Sequence, residues 1–186
     1  MSKTDPGRFF EDFRLGEALQ HATPRTVSEA DAALYLALTG TRFAVNSADP
    51  FAASLGFERA PLDDFLAFHI VFGKTVPDVS INAVANLGYA QGVFGVPLYP
   101  GDTVTARSEV IGLRENSNRQ TGTVYVRSRG FNQRGAAIVD YVRWVMVRKR
   151  DPAAPAPAAS VPTLPDAVAA GALVVPEGLD VARYDR

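Results

Sequence analysis

From Leu62 to Phe72 the chain is apolar on every side: Leu62, Phe65, Leu66, Phe68, Ile70, Val71 and Phe72 leave no wide polar face. A helix with that pattern is expected to be buried, because no orientation turns a wet face to solvent. Gly73 and Pro77 set its end, and beyond Pro77 the period changes from helical to two. Val104, Ala106 and Val110 alternate with Thr103, Thr105, Arg107 and Glu109, and Val124 and Val126 alternate with Tyr125, Arg127 and Arg129. These spacings predict half-buried antiparallel strands, with turns at Asn116-Ser117-Asn118 and Asn132-Gln133-Arg134-Gly135, where residues tolerant of left-handed backbone gather. The segment 138–147 is apolar on both faces and suits an interior strand.

Upstream, Gly16 to Val27 alternates weakly around Pro24 and reads as an edge strand. Ser28 with Asp31 three residues on marks a helix start, Ala32, Leu34, Tyr35, Leu36 and Leu38 supply its apolar face, and Gly40 ends it. Asp49-Pro50 opens a brief second helix, Phe51 to Leu55, with Gly56 just past its end. One buried helix, two shorter helices and a run of antiparallel strands make an α+β layout, a sheet wrapped around a central helix, which is the hot-dog fold. Residues 1–150 hold this domain, and 151–165, DPAAPAPAASVPTLP, form a semi-rigid Ala/Pro linker. The tail at 166–186 either docks back on the domain or leads toward a second unit.

Composition narrows the function classes. Nineteen Lys+Arg against twenty Asp+Glu leave a net charge of −1, which gives no global reason to bind nucleic acid or an anionic membrane. With no cysteine and two histidines, disulfides, cysteine nucleophiles, thiolate metal sites and His-rich metal sites are not expected. The N-terminus is charged and lacks an apolar signal core, and no apolar run approaches the roughly 20 residues a bilayer needs, so a cytoplasmic address is expected.

The segment from Asp49 through Phe57-Glu58-Arg59 to Leu66, followed by Phe94, Pro97 and Tyr99-Pro100-Gly101-Asp102-Thr103, resembles the MaoC-like dehydratases, hot-dog (R)-specific enoyl-CoA hydratases. The stretch FHIVFGKTVPDVSINAVANLGYAQGVFG, with YVRWVMVRKRDP before the linker, resembles more narrowly the N-terminal half of the mesaconyl-CoA hydratase (β-methylmalyl-CoA dehydratase) family. The resemblance implies an acyl-CoA thioester as substrate, no metal or redox cofactor, and pairing with a second hot-dog unit or in a homodimer. It also implies where catalytic residues belong: an Asp, a His five residues on, and a His-Gly at the start of the central helix. Here those positions hold Arg42, Ser47 and Asp63-Asp64. Hydrating an α,β-unsaturated thioester needs a base for water, an acid for the α-carbon and amide donors for the developing oxyanion. Arg42 is no base near neutral pH, Ser47 lacks a basic partner, and two carboxylates repel an oxyanion. The expectation is a non-catalytic, pocket-forming unit. A stand-alone acyl-CoA-binding scaffold and a thioesterase with Asp63 or Asp64 as base are the alternatives.

Each candidate also has a plainer reading. Asp63 and Asp64 suit N-cap and first-turn positions. Arg42 can pair with Asp49 or can face a substrate carboxylate or a CoA phosphate. Arg148-Lys149-Arg150 ends the last strand as a solvated edge, with CoA phosphate contact from Arg148 and Lys149 as the alternative. His69 is expected to be buried on the central helix, and His21 to be exposed. Arg107, Arg127, Arg129 and Arg143 would line one sheet face if the registers agree. Gly88 and Gly92 suggest a bulge or a close approach, favouring an interface between hot-dog units.

Overall fold

The structure is a computed structural model that describes residues 6–184; the first five residues of the charged N-terminus and the last two of the tail lie outside it. Two short strands, β1 (Ala18–Gln20) and β2 (Arg25–Thr26), precede helices α1 (Glu29–Thr39), α2 (Asp49–Ser54) and α3 (Asp64–Thr75). Four long strands follow: β3 (Ala83–Phe94), β4 (Thr103–Glu115), β5 (Thr121–Phe131) and β6 (Ala137–Arg148). The sheet is antiparallel in the order β1-β4-β5-β6-β3, with β2 also pairing with β4. The expected α+β hot-dog layout is borne out, with α3 as the central helix.

Local signals account for most element ends. The Ser28 hydroxyl accepts the Asp31 N–H at 3.2 Å while the Asp31 carboxylate accepts the Ser28 N–H at 2.9 Å, a reciprocal capping box. Gly40 closes α1 in the left-handed region, φ 63°. The single edge strand expected between Gly16 and Val27 is instead two pieces, because Thr23 takes φ 67° and Pro24 has no N–H to give a ladder.

The inner face of the sheet carries two apolar clusters. One packs Leu66, Ile70 and Val71 of α3 against Val104, Ala106, Val139 and Tyr141. The other packs Phe10, Phe13 and Leu19 of the N-terminal segment against Val110, Val124, Val126 and Val145. Between them runs a belt of buried polar side chains that includes His21, Thr75, Ser108, Ser128 and Arg143.

Three expectations fail here for one reason: an apolar side chain need not be covered by its own chain. The central helix is buried along one stripe only, leaving Phe65 61% exposed. His69 lies on the open side and is exposed, its ring against Tyr35 and Phe68. The apolar face of α1 is only half covered: Ala32 and Tyr35 pack against the first cluster, while Leu34 and Leu38 are exposed. His21 errs the other way and is buried, because its partners come from distant parts of the chain.

The outer face holds Arg107, Arg127 and Arg129 together, but Arg143 is on the inner face and wholly buried. The cluster is not a bare cationic stripe, since Arg127 and Arg129 both bond Asp140 at 2.8 Å. Across the same face runs the linker. Ser160 exchanges two 2.7 Å backbone hydrogen bonds with Leu113, and Pro162 then crosses Gly112, where a Cβ would sit 2.5 Å from the proline ring. Trp144, stacked on Tyr125, fills the space over Gly88. Gly88 is the close approach expected there, made by a side chain of the same sheet; the position a Cβ would take at Gly92 is open.

Candidate functional site

The chain between α1 and α3 folds over the N-terminal end of α3 and is pinned there. Asn46 donates its amide to the Pro61 and Leu62 carbonyls at 3.1 and 3.3 Å, and Asp49 accepts the Ala60 N–H at 3.0 Å. Arg59 donates to the Pro100 carbonyl at 2.6 Å. The tail docks on the outside of this overhang. The Asp180 N–H donates to the Leu55 carbonyl at 2.9 Å, and Tyr184 meets the Phe51 ring edge-on. Gly56 makes this seat possible: its φ is 102°, and a Cβ there would fall 2.0 Å from the Gly178 carbonyl oxygen.

Overhang, tail and the end of β3 enclose a cleft of about 520 Å³ lined by Phe43, Val45, Leu55, Phe57, Phe94, Pro97, Val174, Leu179, Val181 and Tyr184. Its polar side chains besides the Tyr184 phenol are Asn46 and Asp64, and no basic side chain among the described residues lines it. Burial first, and the neighbouring Asp63 charge second, push the Asp64 carboxyl above the ordinary aspartate range. Asp63 acts as the N-cap, its carboxylate accepting the Phe65 N–H at 2.8 Å.

Of the residues singled out in the sequence, only Asp64 lines this cleft, with Asp63 beside it. Arg42 is exposed and forms no hydrogen bond or ion pair among the described residues, Asp49 included. The Ser47 hydroxyl donates to the Phe43 carbonyl at 3.1 Å and borders a separate groove beside α1. Arg148 ends β6 and Lys149 follows it, at the end of the strand away from the cleft, and neither lines it. Lys149 is not a solvated edge residue. It is 7% exposed, and its ammonium donates to Glu115 at 2.8 Å and to the Pro152 and Ala154 carbonyls, tying down the start of the linker.

A second polar constellation had no sequence signal. His21 Nδ1 lies 2.6 Å from Asp78 Oδ2 and Nε2 lies 2.7 Å from Ser108 Oγ, an Asp–His–Ser series. Ser108 is only 3% exposed, so no substrate carbonyl reaches its hydroxyl and the series does not serve a nucleophile. Among the described residues, no group of three or more acidic or imidazole side chains is placed to hold a metal ion, and no helix is long and apolar enough to cross a membrane.

Comparison with known proteins now decides the family. The mesaconyl-CoA hydratase profile matches residues 2–177. The chain belongs to the mesaconyl-CoA hydratase family. It is 60% identical over 184 residues to a β-methylmalyl-CoA dehydratase of Chloroflexus aurantiacus, covering 99% of this chain and 52% of that protein. It is 61% identical over 183 residues to a mesaconyl-CoA hydratase of Cereibacter sphaeroides, covering 98% of this chain and 53% of that one. This member of the mesaconyl-CoA hydratase family thus spans about half the length of the curated relatives it matches. Among solved structures, a MaoC domain protein dehydratase from Chloroflexus aurantiacus superposes with a TM-score of 0.94 at 60% identity, over 100% of this chain and 53% of that chain. A Mycobacterium tuberculosis protein described as a double hotdog fold matches with a TM-score of 0.73 at 25% identity, over 83% of this chain and 53% of its own.

Proposed function

We propose that the chain is the non-catalytic, pocket-forming hot-dog unit of an enzyme that reversibly adds water to mesaconyl-CoA to give β-methylmalyl-CoA. One observation carries this reading. At the start of α3, where a developing oxyanion needs free amide donors, the Asp63 carboxylate takes the Phe65 N–H, and the Asp64 carboxyl stands beside it. Neither histidine lines the cleft, so it offers no imidazole for proton transfer. The reaction moves protons and a water across a double bond, and no redox group is required for it. The acid and base come from a second hot-dog unit, which the outer edge of β3, unpaired among the described residues, is suited to receive: Val84, Leu87 and Tyr89 are exposed along it. The cleft's apolar walls suit the uncharged part of an acyl thioester. With no cation among the described residues lining it, the mesaconyl carboxylate finds its counter-charge elsewhere, and Arg42, exposed and free of any acceptor among the described residues, is a candidate.

The test is an activity assay with mesaconyl-CoA. The chain alone should give no β-methylmalyl-CoA, and addition of a second unit carrying the Asp, His and His-Gly positions should restore turnover. Turnover by the chain alone, lost in Asp64→Asn, would overturn this reading. Thiol release by the chain alone, lost in the same variant, would establish the thioesterase reading, which the raised Asp64 carboxyl at the cleft favours as second choice.

A further inference from the structure

The most constrained polar structure outside the cleft is a row of hydroxyls across the inner face of the sheet. Ser108, Ser128 and Tyr141 stand directly opposite one another on β4, β5 and β6. The Ser108 and Ser128 oxygens are 2.7 Å apart, and His21 Nε2 is 2.7 Å from Ser108. At the other end, the Tyr141 hydroxyl faces the Ser128 and Thr75 hydroxyls without a well-directed hydrogen bond to either. Thr75 donates its proton to the Phe72 carbonyl at 2.7 Å and accepts from Arg143 at 2.7 Å.

Donors and acceptors from Asp78 to Ser128 follow from the His21 ring. The Asp78 carboxylate only accepts, so His21 Nδ1 carries a proton, and in the neutral ring Nε2 is bare. Ser108 must then donate to Nε2 and Ser128 to Ser108, which leaves Ser128 only an acceptor toward the Tyr141 hydroxyl. The state of one ring nitrogen fixes the direction of both serine hydroxyls. A proton on Nε2 reverses the row: His21 donates to Ser108, Ser108 to Ser128, Ser128 to the phenol oxygen, and the phenol turns its own proton to the remaining lone pair of Thr75. Both arrangements keep His21, Ser108 and Ser128 paired through hydroxyl rotation alone, and the Tyr141 hydroxyl, without a well-directed partner as placed, completes the row by a small shift of its ring.

We propose that this row is a proton-operated switch, in which a proton taken up by His21 reverses the hydrogen-bond direction and is registered at Tyr141. Asp78 gives the proton its way in, since it borders a surface recess of about 360 Å³ while the His21 side chain is sealed. The groups facing His21 are Asp78 from the turn after α3, Ser108 from β4, Arg143 from β6 and Arg8 from the N-terminal segment. Burial and the two arginines hold the ring neutral against the pull of Asp78. At the output end Tyr141 packs against Phe68 and Tyr89, with ring centroids 5.0 and 6.3 Å away, beside the open edge of β3.

Imidazole ¹⁵N NMR on the full chain tests this, with exposed His69 as internal reference. At neutral pH, His21 should carry its proton on Nδ1 and leave Nε2 bare. Tyr141→Phe removes an acceptor that only the acid state requires, so the His21 titration should fall by about half a pH unit or more although two hydroxyls intervene. Ser128→Ala should shift it in the same direction, and Tyr184→Phe, at the cleft, should not. A proton on Nε2 in the wild-type ring at neutral pH, or an unmoved titration in either folded variant, overturns the proposal. The wild-type tautomer decides the matter if neither variant folds.

Discussion

The two edges of the sheet are finished differently. At β4 the chain closes its own edge: β1 pairs with residues 107–109, β2 with 103–104, and the linker bridges Leu113 through Ser160. Phe10 and Phe13 fill the space beneath. At β3 no strand pairs on the outer side among the described residues, the register with β6 shifts at three points, and large apolar side chains are exposed. Long apolar edges invite association, and chains that stay apart usually break them with charge or proline. One edge of this molecule is finished from within; the other is left open among the described residues, where the proposed second unit would dock.

The first way to break the comparison is to damage the closed edge. Phe13 is fully buried, and Phe13→Ala should cost about 3–5 kcal/mol in denaturant unfolding, as a large core truncation does. A loss below about 1 kcal/mol would mean that the N-terminal segment is a loose cover rather than part of the fold. A smaller effect follows from pH. Burial lowers the folded pKa of His21 below 6.5, so between 6.5 and that folded value the unfolded chain binds a proton that the native chain refuses. Stability should therefore be at its full value above pH 6.5 and decline as pH falls through this window. His21 donates its N–H to the Ala106 carbonyl of β4, so amide exchange should quicken first along β1 and β4, not along β3. Equal acceleration at both edges would contradict this. The smallest effect on stability should come from Leu87→Lys on the open edge, within about 0.5 kcal/mol for the isolated chain. The same change should abolish association with a second unit or copy, measured by sedimentation. Association that survives Leu87→Lys would move the interface away from β3.

Much of this was legible in the sequence wherever the deciding contact is local. The capping box of Ser28 and Asp31, the Gly40 end of α1 and the alternation of Val104, Ala106 and Val110 each depend on neighbours a few residues away. The two histidines were misread because what decides their burial is remote. His21 is sealed by Asp78 and Ser108, 57 and 87 residues along the chain, and only the register of β1 on β4 brings them together. For His69, a helix apolar on every side carries no mark of which stripe its own sheet covers. The motif positions Arg42 and Ser47 were placed by resemblance, which locates a position along the chain but not the direction of its side chain. Lys149 looked like part of a solvated charge run because its acceptors are the carbonyls of the next turn, and any sequence carries those.

The protein's single tryptophan, Trp144, lies stacked on Tyr125 in the recess that linker residues Pro162 and Pro165 help to line. Its emission therefore reports on the seating of the linker. A linker that lifts away hands the indole to water and moves its fluorescence to longer wavelength, whatever happens in the apolar clusters on the other face of the sheet. The molecule thus carries an optical gauge on the segment that leads from the sheet toward the cleft, readable without a label.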